Sequence, residues 1–135
     1  MLFFKKNKDG GKDSNTTAYW LCEIKPLFSI GLLKFEGKSR EVYHNHAFDC
    51  IGLVLLGKLT EERIDKPIRI FNINSGFFPI YKNEFHKVSS DDITWVFTIR
   101  GPWNKIWNEL HKNFKLTLTN GRKEINKDYT KGYNK

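Results

Sequence analysis

The stretch REVYHNHAFDCIGLVLL, residues 40–56, decides the fold. It opens in alternation, with Val42, His44 and His46 on one face against Tyr43 and Asn45 on the other, and turns continuously apolar from Ile51 to Leu56. Successive side chains of a β-strand point to opposite faces, so the first half reads as a strand with a polar face and the second as a strand buried on both sides. Gly57-Lys58 then turns the chain.

Outward from this stretch the same grammar repeats. Upstream, residues 19–25 and 27–35 are short runs of aromatic and aliphatic residues parted by Pro26 and closed by Glu36-Gly37-Lys38-Ser39. Downstream, residues 59–64 and 68–73 flank Asp65-Lys66-Pro67, and Asn74-Ser75-Gly76 turns the chain again. Residues 77–81, 85–88 and 93–100 follow, the last two split by Ser89-Ser90-Asp91-Asp92, and residues 114–119 make a final strand. Short strands with regular punctuation predict a sandwich or barrel, because the helical patterns of alternating βαβ units are missing. One helix is expected: after Pro102, Trp103, Ile106, Trp107 and Leu110 recur at helical spacing.

Length and composition bound the rest. At 135 residues the chain is one domain's worth, and 15% aromatic residues favour a packed globule over a disordered chain. The expected organisation is a flexible basic lead-in over 1–16, a β domain over 17–120 and a basic tail over 121–135. Much of the net charge of +8 falls in the two terminal segments, on Lys5, Lys6, Lys8 and Lys12 and on Arg122, Lys123, Lys127, Lys131 and Lys135. Such charge draws a protein toward nucleic acid or phosphorylated molecules in a salt-dependent way, yet no nucleic-acid-binding helix pattern accompanies it. Cys22 and Cys50 lie in apolar runs without metal or redox spacing and read as free thiols of a reducing compartment. No run has the length to cross a bilayer, and the opening Met1-Leu2-Phe3-Phe4 is too short for a signal-peptide core, so the expected location is the cytoplasm.

Two histidines one residue apart on a strand share a face, and both imidazoles can reach a single ion. In this the residues resemble the cupin superfamily, whose first motif has HxH on a strand, a carboxylate a few residues later and a glycine ending the next strand. His44, His46 and Gly57 match it, while the usual glutamate position falls on Cys50, next to Asp49. The second cupin motif, a glycine, a proline and a third histidine, is matched loosely by Gly76, Pro79 and His86, with Asn83 where a glycine is usual. Asparagine tolerates a left-handed backbone almost as glycine does. The resemblance covers residues 27–102, and the expectation is an all-β, single-domain cupin-like β-barrel (jelly roll) with one short C-terminal helix. The runs 44–49 and 95–103 are also similar to small uncharacterised cupins of tailed phages, which would place the protein in the host cytoplasm.

The resemblance implies a divalent metal (Fe, Zn, Ni or Mn) held by His44, His46 and His86. Asp49 restores a carboxylate ligand if a bulge turns it inward, and Cys50 has the parity to face the site. Arg100 ends a strand and is a candidate to grip a carboxylate or phosphate, with Arg40 a second; Glu84, two before His86, is a candidate base. His111 reads as exposed, and Phe35, Phe48, Phe78 and Trp95 as core. Three functions stand open: a metal-dependent oxygenase or isomerase/epimerase acting on a small anionic substrate, a non-catalytic module binding a nucleotide or sugar phosphate, and a nucleic-acid-associated basic protein. The resemblance also implies a homodimer through the outer face of a sheet, for which Ile51, Leu53 and Leu55 supply apolar positions.

Overall fold

The computed structural model describes residues 2–9, 15–24, 27–37, 42–104, 106–119 and 123–131. In chain order the strands are β1 (Leu2–Lys8), β2 (Thr16–Ile24), β3 (Phe28–Phe35), β4 (Tyr43–His44), β5 (Cys50–Leu56), β6 (Leu59–Arg63), β7 (Lys66–Phe71), β8 (Phe78–Ile80), β9 (His86–Ser89), β10 (Thr94–Arg100), β11 (Ile106–Leu110), β12 (Lys115–Thr119) and β13 (Lys123–Asp128). They form two antiparallel sheets, one ordered β1-β2-β3-β10-β5-β8 and the other β13-β12-β11-β4-β9-β6-β7. This is an all-β, two-sheet jelly roll: a sandwich, as the strand punctuation predicts, with the jelly-roll form that the cupin resemblance implies. Between His44 and Cys50 the chain crosses from one sheet to the other: β4 lies in the second and β5 in the first.

Alternation explains the core. Along β3 and β10 every second residue is buried, and the ladder sets Val96 opposite Leu33 on one side and Val54 on the other. Burying each such aliphatic side chain contributes roughly 1.5–3 kcal/mol. Leu59 and Phe71 reach the same cluster from the second sheet. Phe71 stacks on Phe78 of the first sheet, with ring centroids 3.9 Å apart and planes 11° from parallel. Gly52 sits opposite Phe78 in the ladder, and a Cβ there would meet that ring at 2.5 Å.

Four expectations need correction. Among the described residues of 103–110 none is helical: residues 106–110 are β11, paired with β12 and β4. The helical spacing of Trp103, Ile106, Trp107 and Leu110 did not mark a buried stripe, for Ile106 is exposed and Glu109 between them is buried. Residues 51–56 are covered on one face only, with Ile51 45% and Leu55 42% exposed on the other. The loose lead-in gives way over residues 2–8 to β1, paired along its length with β2, and the basic tail over 123–128 to β13, paired with β12. Each is the edge strand of its sheet. Lysine on an edge strand discourages pairing with other chains, so a lysine-rich segment still has a place in the ladder. Pro67 likewise fits because β7 is an edge strand.

Gly57 closes β5 with φ of 87°, and a Cβ there would stand 2.5 Å from the Thr94 hydroxyl and 2.8 Å from the Ile93 carbonyl. Gly57→Ala therefore combines a left-handed backbone with overpacking and should lower stability by about 1–3 kcal/mol, measured by urea unfolding. An unchanged midpoint would contradict this account of the turn.

Candidate metal centre

His44 and His86 are register partners across β4 and β9, so their side chains leave the second sheet on one face. Glu109 pairs with His44, and Arg63 with His86. By the same parity Glu61 joins this inner row, with Arg69 opposite it on β7. β4 stops at His44, and the segment after it is held by residues 101–108. The Asn45 N–H donates to the Asn108 carbonyl at 2.9 Å, and the Asn45 side-chain oxygen accepts from the Asn108 N–H at 2.6 Å. The Asn104 N–H donates to the Ala47 carbonyl, and the Gly101 N–H to the Asp49 carbonyl. These bonds carry His46 back over the two ladder histidines.

The three imidazoles stand at the corners of a near-equilateral triangle, with centroids 5.0, 4.9 and 5.0 Å apart. One ring nitrogen from each falls within a group spanning no more than 4.8 Å. His44 and His86 are buried and His46 half-buried. The His44 Nδ1–H donates to the Val42 carbonyl at 3.1 Å, because a carbonyl can only accept, and so Nε2 carries the lone pair. His46 Nε2 and His86 Nε2 approach to 2.8 Å, and His86 Nδ1 lies 2.7 Å from Glu61 Oε2. This donor set fits a divalent first-row ion: three imidazoles on one side of a point, from two strands and a pinned loop, leaving positions for water or substrate.

Glu61 is the residue that the sequence reading missed. It is fully buried, and Arg69 Nε donates to its Oε1 at 2.6 Å. Burial pushes its carboxyl pKa up, but the hydrogen bonds from His86 and Arg69 and the Arg69 charge outweigh that and hold it below the ordinary 4.5. The available signal was parity, since Glu61 and Arg63 share the face of buried Leu59. Glu109, buried on the same inner row with His111 Nε2 at 3.4 Å, went unmarked for the same reason.

The other nominated residues do not join the triangle. Asp49 is exposed, and its Oδ1 accepts the Lys82 N–H at 2.7 Å. Glu84 is engaged by Lys66 at 3.1 Å and Arg63 at 3.6 Å. Arg63, Lys66 and Glu84 also line a cleft of about 330 Å³. Arg100 is only 3% exposed and forms a two-pronged bridge to Asp9, with Nη1–Oδ1 3.2 Å and Nη2–Oδ2 2.7 Å. Its guanidinium lies between the rings of Trp20 and Phe48, at 4.7 and 4.4 Å, and Phe48 in turn lies against His46. Burial alone would favour loss of the Arg100 proton, but Asp9, with smaller help from other nearby acidic groups, more than offsets it and raises the pKa. Burial raises the Cys50 thiol to about 11 against the pull of Arg100, which keeps it protonated and inert. Arg40 lies outside the described residues. His111 is half-buried and stacks on Phe114. Phe35, Phe48 and Phe78 are buried, whereas Trp95 is half-buried beside Tyr19.

No protein-family model matches this sequence, and no curated protein matches it. Solved structures do match. A cupin-2 domain protein from Shewanella frigidimarina is 23% identical with a TM-score of 0.51, covering 62% of this chain and 78% of that one. A cupin-like protein from Thermotoga maritima is 21% identical with a TM-score of 0.55, covering 73% and 79%. A cupin-superfamily sugar phosphate isomerase from Silicibacter pomeroyi is 11% identical with a TM-score of 0.57, covering 80% and 73%. Likeness at these identities is likeness of fold: the chain has a cupin-like jelly roll with a buried three-histidine cluster.

Asp9 is the carboxylate that neutralises Arg100 inside the protein. Asp9→Asn should destabilise the chain by about 1–3 kcal/mol in urea unfolding, because a buried guanidinium loses its counter-charge. A variant as stable as the wild type would show that the pair holds nothing together.

Proposed function

We propose that this chain is a metal-binding cupin whose His44, His46 and His86 hold one divalent ion (Fe, Zn, Ni or Mn). On this proposal it acts on a small anionic substrate as an oxygenase or an isomerase/epimerase. The observation that carries the proposal is the triangle of imidazoles, with His44 Nδ1 donating to a backbone carbonyl so that its Nε2 carries the lone pair. An ion there would supply Lewis acidity, polarising a substrate oxygen or lowering the pKa of a bound water. The chain's own part is to fix the three rings and to keep the site half-enclosed, His46 being its partly exposed member. Arg63, which sits opposite His86, lines the neighbouring cleft with Lys66 and with Glu84, which pairs with both cations, so an anionic substrate would have to compete with that carboxylate. The similarity of residues 44–49 and 95–103 to small phage cupins brings no activity with it.

Metal content tests the proposal. Purified protein, or metal-free protein offered Fe(II), Zn, Ni and Mn in turn, should hold about one ion per chain by elemental analysis, and the triple His44→Ala, His46→Ala, His86→Ala variant should hold none. A folded wild type that takes up none of the four ends the reading.

A second reading has its own observation. Arg100 and Glu84, the nominated anion-gripping and proton-moving groups, are both engaged with other charges, which suits a cupin that binds without catalysing. One structural neighbour is described as a sugar phosphate isomerase, so sugar phosphates are fitting probes. On the binding reading they raise the melting temperature equally with and without a chelator. Stabilisation that a chelator abolishes returns the case to the metal-dependent reading.

A further inference from the structure

Glu61 stands in a costly position. It is fully buried, and a carboxylate withdrawn from water is stable only when its oxygens are hydrogen-bonded and its charge is met. Arg69 meets the charge through Oε1 at 2.6 Å, with Arg63 Nε 3.7 Å from the same oxygen. That leaves Oε2, which is spent on His86 Nδ1 at 2.7 Å. A carboxylate paired with arginine is an acceptor only, so the hydrogen in the second contact belongs to the imidazole.

We propose that Glu61 is the positioning residue of the three-histidine cluster: it holds the His86 hydrogen on Nδ1 and thereby presents the His86 Nε2 lone pair to the point where the three rings converge. The consequence for metal binding rests on the function proposed above, but the tautomer itself is a property of the metal-free protein. With no hydrogen on His86 Nε2, the 2.8 Å contact makes His46 the donor, Nε2–H to Nε2. The metal-free protein thus holds a directed chain in which His46 donates to His86 and His86 donates to Glu61. His44 is set independently by the Val42 carbonyl. His46 is the one ring of the three whose hydrogen must leave Nε2 before an ion can bind. An anionic acceptor behind a ligating imidazole also makes it a better electron donor, and loss of such a partner typically costs 10–100-fold in metal affinity.

Glu61→Gln is a sharp test because it preserves shape while halving the acceptor capacity. The amide has one oxygen, which Arg69 Nε claims, so its NH2 group faces His86 Nδ1 and requires a lone pair there. The hydrogen then moves to His86 Nε2, and the chain to His46 reverses. The tautomers are read by 15N–1H correlation spectra of the imidazoles in metal-free protein, at a pH above the imidazole range, beside a zinc titration. The wild type should show His86 with its hydrogen on Nδ1, and Glu61→Gln should show it on Nε2 with zinc affinity lowered 10–100-fold at unchanged stoichiometry. A wild-type His86 bearing its hydrogen on Nε2 overturns the proposal without recourse to any variant, as does a folded Glu61→Gln protein with wild-type tautomers. The two readings fail separately. A wild type with the Nδ1 tautomer that binds no zinc, iron, nickel or manganese refutes the metal function and leaves the positioning role standing. One that binds metal with the opposite tautomer does the reverse.

Discussion

A single antiparallel register pair, His44 opposite His86, fixes the geometry on which the candidate site depends. Side chains alternate along a strand, so a slip of one residue between β4 and β9 would turn one ring to the outer face and dissolve the cluster. Little of that pairing comes from β4 itself, which is two residues long. Its register is secured from both flanks: by β11, which pairs with Tyr43 and His44, and by β6, which pairs along the whole of β9. The bonds from residues 101–108 to Asn45, Ala47 and Asp49 then position His46 without a ladder of its own.

Between the sheets, one region is apolar, built from Trp20, Leu33, Phe35, Val54, Val96, Phe71 and Phe78. The inner row of the second sheet is polar, carrying Glu109, His44, His86, Glu61 and Arg69. Hydrophobic burial supplies the stability of the first region, whereas the second is stable because its charge is met, Glu61 by Arg69; on the first sheet Asp9 meets the charge of Arg100 in the same way. The Arg100 bridge also ties the N-terminal hairpin to β10 across most of the chain's length, under a Phe48 ring that touches His46. Hairpin, aromatic cluster and histidine triangle are therefore packed as one contiguous unit.

The strands of the sandwich were legible because alternation and turn residues are local signals: residues 27–35, 59–64 and 93–100 all became strands with shifts of a residue or two. The three histidines were legible through spacing and family resemblance together. What escaped depends on partners distant in sequence. Residues 103–110 carry a pattern that serves a helix as well as a strand, and only pairing with β4 and β12 decides between them. Arg100 has the parity of the buried residues of β10, but nothing near it in sequence reveals that Asp9 will fill its fork. Glu61 looked like one charge in the polar run 60–63, and its burial follows only once β6 is known to lie beside β9 and β7.

X-ray absorption at the metal edge of the loaded protein tests the central claim most directly, because it counts the imidazoles around the ion. Three imidazole nitrogens at about 2.0–2.2 Å, with the remaining scatterers oxygen from water or substrate, are predicted for a site of His44, His46 and His86. A shell made of carboxylate or thiolate, or holding fewer than three imidazoles, would contradict it.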